Sequence, residues 1–150
     1  MTAPDHPIAT IGYERSPQPE VIGRLQASGV ELLIDVRAIA SSRRAGFSKT
    51  LLGGSLNTAG IDYLHLRDLG TPKPGRQAAR AGRIGEMRAI FDEHMTTAAA
   101  LGALEQAIEA ARERRVCLLC FELDPACCHR TAVAERIAAR TGQPILHLFP

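Results

Sequence analysis

The sequence has no tryptophan, only 4% aromatic residues and only two lysines, Lys49 and Lys73. Scarce aromatics deny it the stacking platforms that hold single-stranded nucleic acid, and a formal net charge of +2 denies it a strong basic footprint. No run approaches the roughly 18 apolar residues of a membrane span. The N-terminus has no basic stretch followed by an apolar core, so no membrane association and a cytoplasmic location are expected. Cysteine is confined to four positions between 117 and 128, and in a reducing compartment no disulfide framework is expected. The G-x-G-x-x-G and Gly-Lys-Ser/Thr phosphate loops and the G-x-S-x-G elbow are absent, and no cofactor is expected.

What is present is 150 residues, 45% hydrophobic and 23% charged, the profile of one ordinary globular domain over 1–150. A chain of this size buries roughly 68–70% of its unfolded surface, enough to fold without metal or disulfide. Sixteen of its 18 basic residues are arginine. Arginine grips phosphate or carboxylate with a planar fork that lysine lacks. Codon bias accounts for the total, so position has to decide which arginines matter.

Residues 1–7, with Pro4 and Pro7, read as a flexible arm leading into a strand at Ile8–Gly12. Ser16 as N-cap and Pro17 at the first position open a helix that stops at Gly29. Strands follow at Leu32–Val36 and Asp62–Leu66, separated by a weak helix over 49–59. The stretch 68–85, with Gly70, Pro72, Pro74, Gly75 and Gly82, reads as a long loop and a candidate lid. Helices around 86–94 and 97–114, a buried strand at Val116–Phe121, a helix opening at Cys127–Thr131 and a last strand at Ile145–Phe149 complete the chain. Alternating strands and helices predict an α/β fold, a three-layer α/β/α sandwich with a mostly parallel sheet of about five strands, Rossmann-like.

In such sheets ligands bind beyond the carboxyl ends of the strands. That rule gathers Tyr13, Asp35, Arg37, Arg43, Arg44, His65, Arg67, Glu122, Cys128, His129 and Arg130 on one rim. Cys127-Cys128-His129-Arg130 falls where a buried strand hands over to a helix, and the helix dipole with adjacent cations favours a thiolate or a bound anion. The plainer reading makes the cysteines packing residues and gives His129 and Arg130 to hydrogen bonds with rim carboxylates. Asp35 and Arg37, two apart on a strand, share a face, either to aim Arg37 at an anion or to tie the strand to its loop. Cys117 and Cys120, three apart on a strand, point to opposite faces and cannot chelate one ion together. Cys120, one of Cys127 or Cys128, and His129 remain as an incomplete ligand set, and no metal is expected.

Four ordered segments carry a resemblance. They are Thr10-Ile11-Gly12-Tyr13; Glu31 to Arg37 with Ser42-Arg43-Arg44 and Phe47-Ser48-Lys49; Gly60 to Gly70; and Cys117 to Glu122 leading to Cys128-His129-Arg130. Together they resemble the domain-of-unknown-function 488 family over almost the whole chain. The resemblance implies a single α/β domain and no particular activity. It carries over the Asp-Val-Arg motif at Asp35–Arg37, the His-Leu-x-x-Leu-Gly motif at His65–Gly70 and the Cys-His-Arg motif at Cys128–Arg130. Tyr13-Glu14 departs from the Gly-His-Ser of many relatives, so no histidine role transfers there. The strand ending at Arg37 is also similar to part of a rhodanese domain, without that family's six-residue active loop.

The leading expectation is an enzyme, a Cys-dependent transferase or hydrolase, that binds an anionic small molecule or nucleotide. Arg37, Arg43, Arg44, His65, Arg67, Arg130, Tyr13 and Glu122 would bind it. Cys128 would be nucleophile or redox thiol, His129 its proton partner and Asp35 the orienting carboxylate. The alternatives are a non-catalytic module recognising a nucleotide, nucleic acid or protein partner, and a structural or metal-binding cysteine cluster.

Overall fold

A computed structural model describes residues 3–150. Five strands, β1 (Ile8–Gly12), β2 (Leu32–Asp35), β3 (Asp62–His65), β4 (Val116–Cys120) and β5 (Ile145–Leu148), form an all-parallel sheet in the order β3-β2-β4-β1-β5. The helices are α1 (Gln18–Ala27), α2 (Lys49–Thr58), α3 (Lys73–Arg80), α4 (Ile84–His94), α5 (Ala98–Glu113) and α6 (His129–Thr141). The α/β fold class expected from the sequence is the one observed. No helix among the described residues is long and apolar enough to cross a membrane.

β1, β2 and β4 are buried along their whole length, as strands covered on both faces must be. Their side chains alternate between two cores. One holds Ile34, Leu118 and Cys120 with Phe91 of α4, Ile108 of α5 and Val133 and Ile137 of α6. The other holds Ile11, Leu33, Cys117 and Leu119 with Val21 and Leu25 of α1 and Leu52 and Leu56 of α2. Each such Leu or Ile contributes roughly 1.5–3 kcal/mol when withdrawn from water. Cys117 and Cys120 thus face opposite sides of the sheet, as strand alternation requires.

Two sequence readings are corrected. The stretch 68–85 is largely helical: a 3-10 turn at Arg67–Leu69 precedes α3, and α4 begins at Ile84. Pro72 is the N-cap of α3 and Pro74 sits in its first turn, where the missing N–H would have no intrahelical partner anyway. Gly75 is required by packing, because a Cβ there would overlap the Thr71 side chain. Gly82, at φ +79°, lies just past the end of α3. The second correction is at α1, whose N-cap is Pro17 with no side-chain cap, while the Ser16 hydroxyl donates to Glu14 O at 3.4 Å. Of the arm read at 1–7, residues 1 and 2 lie outside the described residues. His6 is buried, its Nε2 2.9 Å from Ala111 O, and its own carbonyl accepts from Gln143 Nε2 at 3.0 Å.

β1 ends under the segment that leaves β4, and a Cβ at Gly12 would overlap the Glu122 carbonyl. Gly12→Ala is therefore expected to destabilise the protein by about 2–3 kcal/mol in urea unfolding, as overpacking does. Gly102→Ala, inside α5 with nothing within 4 Å of the added methyl, is expected to stabilise it by about 0.5–1 kcal/mol in the same measurement.

Candidate functional site

A pocket of about 620 Å³ opens at the carboxyl edge of β1, β2 and β4. Tyr13 and Glu14 enter it from the end of β1, Arg37 and Arg43 from beyond β2, and Cys120 and Glu122 from the end of β4. Cys127 and His129 come from the passage into α6, and Arg76 and Arg80 from α3. By its position in the sequence Arg76 already fell beside the expected rim, whereas Arg80 was unplaced within the 68–85 stretch. They stand four apart, one helical turn, so both reach the same side of α3.

The arginine nearest the sheet is held by an acid. Arg37 Nε donates to Asp35 Oδ1 at 2.9 Å and Nη2 to Oδ2 at 2.7 Å, a two-pronged pair with both side chains buried. Tyr63 donates its hydroxyl to the same carboxylate, and Arg37 Nη1 donates to the Tyr13 hydroxyl at 3.0 Å. Tyr13 is fixed in turn by stacking on Phe47, ring centroids 4.3 Å apart. Burial works against the charge of Arg37, but the hydrogen bond and charge of Asp35 outweigh it and hold the guanidinium firmly protonated. Three of its five N–H groups are used in these bonds, and two are left outside them. His65 Nε2 lies 2.7 Å from Arg37 O and buttresses the same residue from behind.

On the other face of the sheet, the sulfurs of Cys120 and Cys128 and a ring nitrogen of His129 lie within 4.8 Å of one another, all three buried. His129 Nε2 is 2.7 Å from Val36 O. A carbonyl only accepts, so Nε2 carries a proton and Nδ1 is turned to the thiols, 3.6 Å from Cys120 Sγ. Phe91 packs on the imidazole at 5.4 Å between centroids. Burial alone would push the Cys128 thiol up, but the interaction with Cys120 and the contact and charge of His129 and Arg130 bring it well below the ordinary thiol range. Burial likewise opposes a charged His129, yet the adjacent Cys128 and the Val36 carbonyl raise it. Cys120 is pushed up, by its bond to Cys128 and by burial. Glu122 rises to about 7 through burial and the Cys128 charge.

Arg130 is fully buried and does not line the pocket. Its Nη1 donates to the Glu122 carbonyl and its Nη2 to the Leu123 carbonyl at 3.2 Å, while Nε has no partner. It pins the segment between β4 and α6 and sends positive potential toward Cys128. His129 likewise bonds a carbonyl and not a rim carboxylate. Of the other sequence candidates, Tyr13, Arg37, Arg43, Glu122 and His129 reach the pocket. Cys128 and Asp35 lie just behind its wall, on opposite faces of the sheet. Arg44 turns away to Ser16 O at 2.9 Å, and Arg67 is exposed in the turn after β3, outside the lining.

Fold and site together define a parallel α/β domain with an arginine-walled pocket at its carboxyl edge and a thiol–imidazole cluster at the pocket floor. The model of the family described as domain of unknown function DUF488 matches residues 18–137, and the chain belongs to that family. No curated protein and no solved structure matches it.

Asp35→Asn leaves the buried Arg37 charge without its counter-ion and is expected to cost about 3–5 kcal/mol in chemical denaturation. The thiols separate by pH. With its thiol lowered while those of Cys117 and Cys127 are raised, Cys128 holds a larger thiolate fraction than either at mildly acidic pH. In EDTA-containing buffer at that pH, iodoacetamide followed by peptide mapping should find Cys128 modified ahead of the more exposed Cys127; the reverse order would count against the thiolate.

Proposed function

We propose that this chain is an enzyme-class domain that binds an anionic small molecule, phosphate- or nucleotide-like, in the pocket at the carboxyl edge of the sheet. Its reactive centre is the Cys128 thiolate with His129 Nδ1 beside it. Asp35 acts indirectly, by aiming the two free N–H groups of Arg37 at the ligand. The observation that carries this reading is convergence: Arg37, Arg43, Arg76 and Arg80, drawn from two separate parts of the chain, line the same pocket as Cys120, Glu122 and His129. Asp35 already balances Arg37, but Arg43, Arg76 and Arg80 add three more guanidiniums against Glu14 and Glu122 in the lining, and their fork geometry matches oxyanions.

Calorimetric titration with inorganic phosphate and with adenosine monophosphate tests the reading. Arg76→Ala and Arg80→Ala should each weaken binding about 10- to 100-fold, the loss expected for a charge-assisted hydrogen bond of about 1.5–3 kcal/mol. Arg24→Ala, on α1 and outside the pocket, should leave binding unchanged. Binding that is absent in the wild type, or indifferent to both pocket substitutions, overturns it. In buffer containing EDTA, Cys128→Ser should retain binding; if it abolishes binding there while the protein remains folded, the division between ligand grip and reactive centre is wrong.

A further inference from the structure

We infer that Cys120, Cys128 and His129 form a three-ligand site for a divalent metal ion of the zinc class, with its open coordination position directed into the arginine-walled pocket. The inference rests on the pocket reading above and names the cofactor that its reactive centre would use.

Three features of the cluster fit a metal. The first is donor type and spacing. Two sulfurs and an imidazole nitrogen are a soft set suited to zinc. Tetrahedral bonds of about 2.3 Å to sulfur and about 2.0 Å to nitrogen place those donors about 3.5 Å apart, and Cys120 Sγ stands 3.6 Å from His129 Nδ1. The second feature is the outer hydrogen bond. A metal-binding histidine typically gives its other N–H to a carbonyl or carboxylate, which fixes the tautomer and aims the lone pair; His129 Nε2 meets Val36 O in this way.

The third feature is asymmetry of access. Cys128 is buried behind the pocket wall, while Cys120 and His129 line it. An ion held among the three would therefore be closed on the Cys128 side and open toward the pocket, the pattern of zinc sites that act on substrates and not of four-ligand structural sites. Two thiolates neutralise a divalent ion, so the site adds no net charge to an interior that already holds the buried Arg130. Glu122, with Oε2 3.8 Å from Cys120 Sγ, lies on the open side. The chain separation of Cys120 from Cys128-His129 is bridged only in the fold, where the end of β4 meets the start of α6. The ligand the site would take is an oxyanion, one oxygen on the metal and the others on the arginines.

The experiment uses the full chain, stripped with chelator, dialysed and titrated with Co²⁺ under reducing anaerobic conditions. The wild type should bind Co²⁺ equimolarly with thiolate-to-cobalt charge-transfer absorption and the intense visible bands of a four-coordinate ion, and Zn²⁺ should displace it. Cys120→Ser, Cys128→Ser and His129→Gln should each lose or strongly weaken the charge-transfer signal, whereas Cys127→Ser and Cys117→Ser should keep it, with circular dichroism confirming the fold of each. Should a ligand variant fail to fold, wild-type protection decides: Co²⁺ should shield Cys120 and Cys128 from iodoacetamide and leave Cys127 open. Inorganic phosphate should shift the visible bands of the cobalt-loaded wild type. No cobalt uptake, or uptake that survives Cys120→Ser and disappears with Cys127→Ser, overturns the inference. If cobalt is refused while phosphate still binds through Arg76 and Arg80, the metal site falls and the pocket reading stands; if phosphate is refused as well, both fall.

Discussion

The hydrogen bond between His129 Nε2 and the Val36 carbonyl joins two parts of the chain 93 residues apart. Val36 follows the end of β2, and His129 is the first residue of α6; β4 runs between them. A strand-end carbonyl in the interior needs a donor, and here an imidazole supplies it. The same bond decides which ring nitrogen is protonated and therefore which one faces the sulfurs. Satisfying the backbone and setting the imidazole tautomer are one event, and it turns Nδ1 toward the two sulfurs.

The sheet sorts charges by parity. Asp35 is opposite Leu119 in the β2–β4 register, so its side chain shares the face of Leu119 and the other core, with Tyr63 and Tyr13 around it. Cys120, one residue further, is on the opposite face with Cys128 and His129. The carboxylate and the thiols are thus separated by the thickness of the sheet and meet only at its edge, through Arg37 on one side and His129 on the other. This is why Asp35 orients an arginine and does not serve the imidazole.

Much of this could be read in the residues. The short apolar runs at Ile8–Gly12, Leu32–Asp35 and Val116–Cys120 admit little but buried strands, and the layer order follows from their alternation with helices. The rim rule gathered Tyr13, Arg37, Arg43, Glu122 and His129, and all five line the pocket. What escaped was governed by register or by a helix without an apolar stripe. Lys73–Arg80 reads Lys-Pro-Gly-Arg-Gln-Ala-Ala-Arg, and its prolines and glycine look like a loop until Pro72 and Pro74 are recognised as a helix start. With α3 missed, the one-turn spacing of Arg76 and Arg80 had no element to give it direction. Cys120, correctly kept apart from Cys117, was grouped from the sequence with His129 and one of Cys127 or Cys128; that Cys128 is the one depends on where β4 ends relative to α6, and local sequence does not encode that.

The two walls of the pocket differ in how freely they can change. The wall from β4 to α6 is committed: Arg130 grips two of its carbonyls, Gly12 lies against it with no room for a methyl, and His129 is bonded to the neighbouring strand. The facing wall, α3, packs on α4 through Gly75 and Ile90, and its arginines enter the pocket from outside the sheet. A lineage could therefore exchange residues at 76, 79 or 80 and alter what the pocket admits without touching the cluster beneath it. Within one architecture, the arginine wall is free to diversify while the thiol–imidazole cluster stays constant.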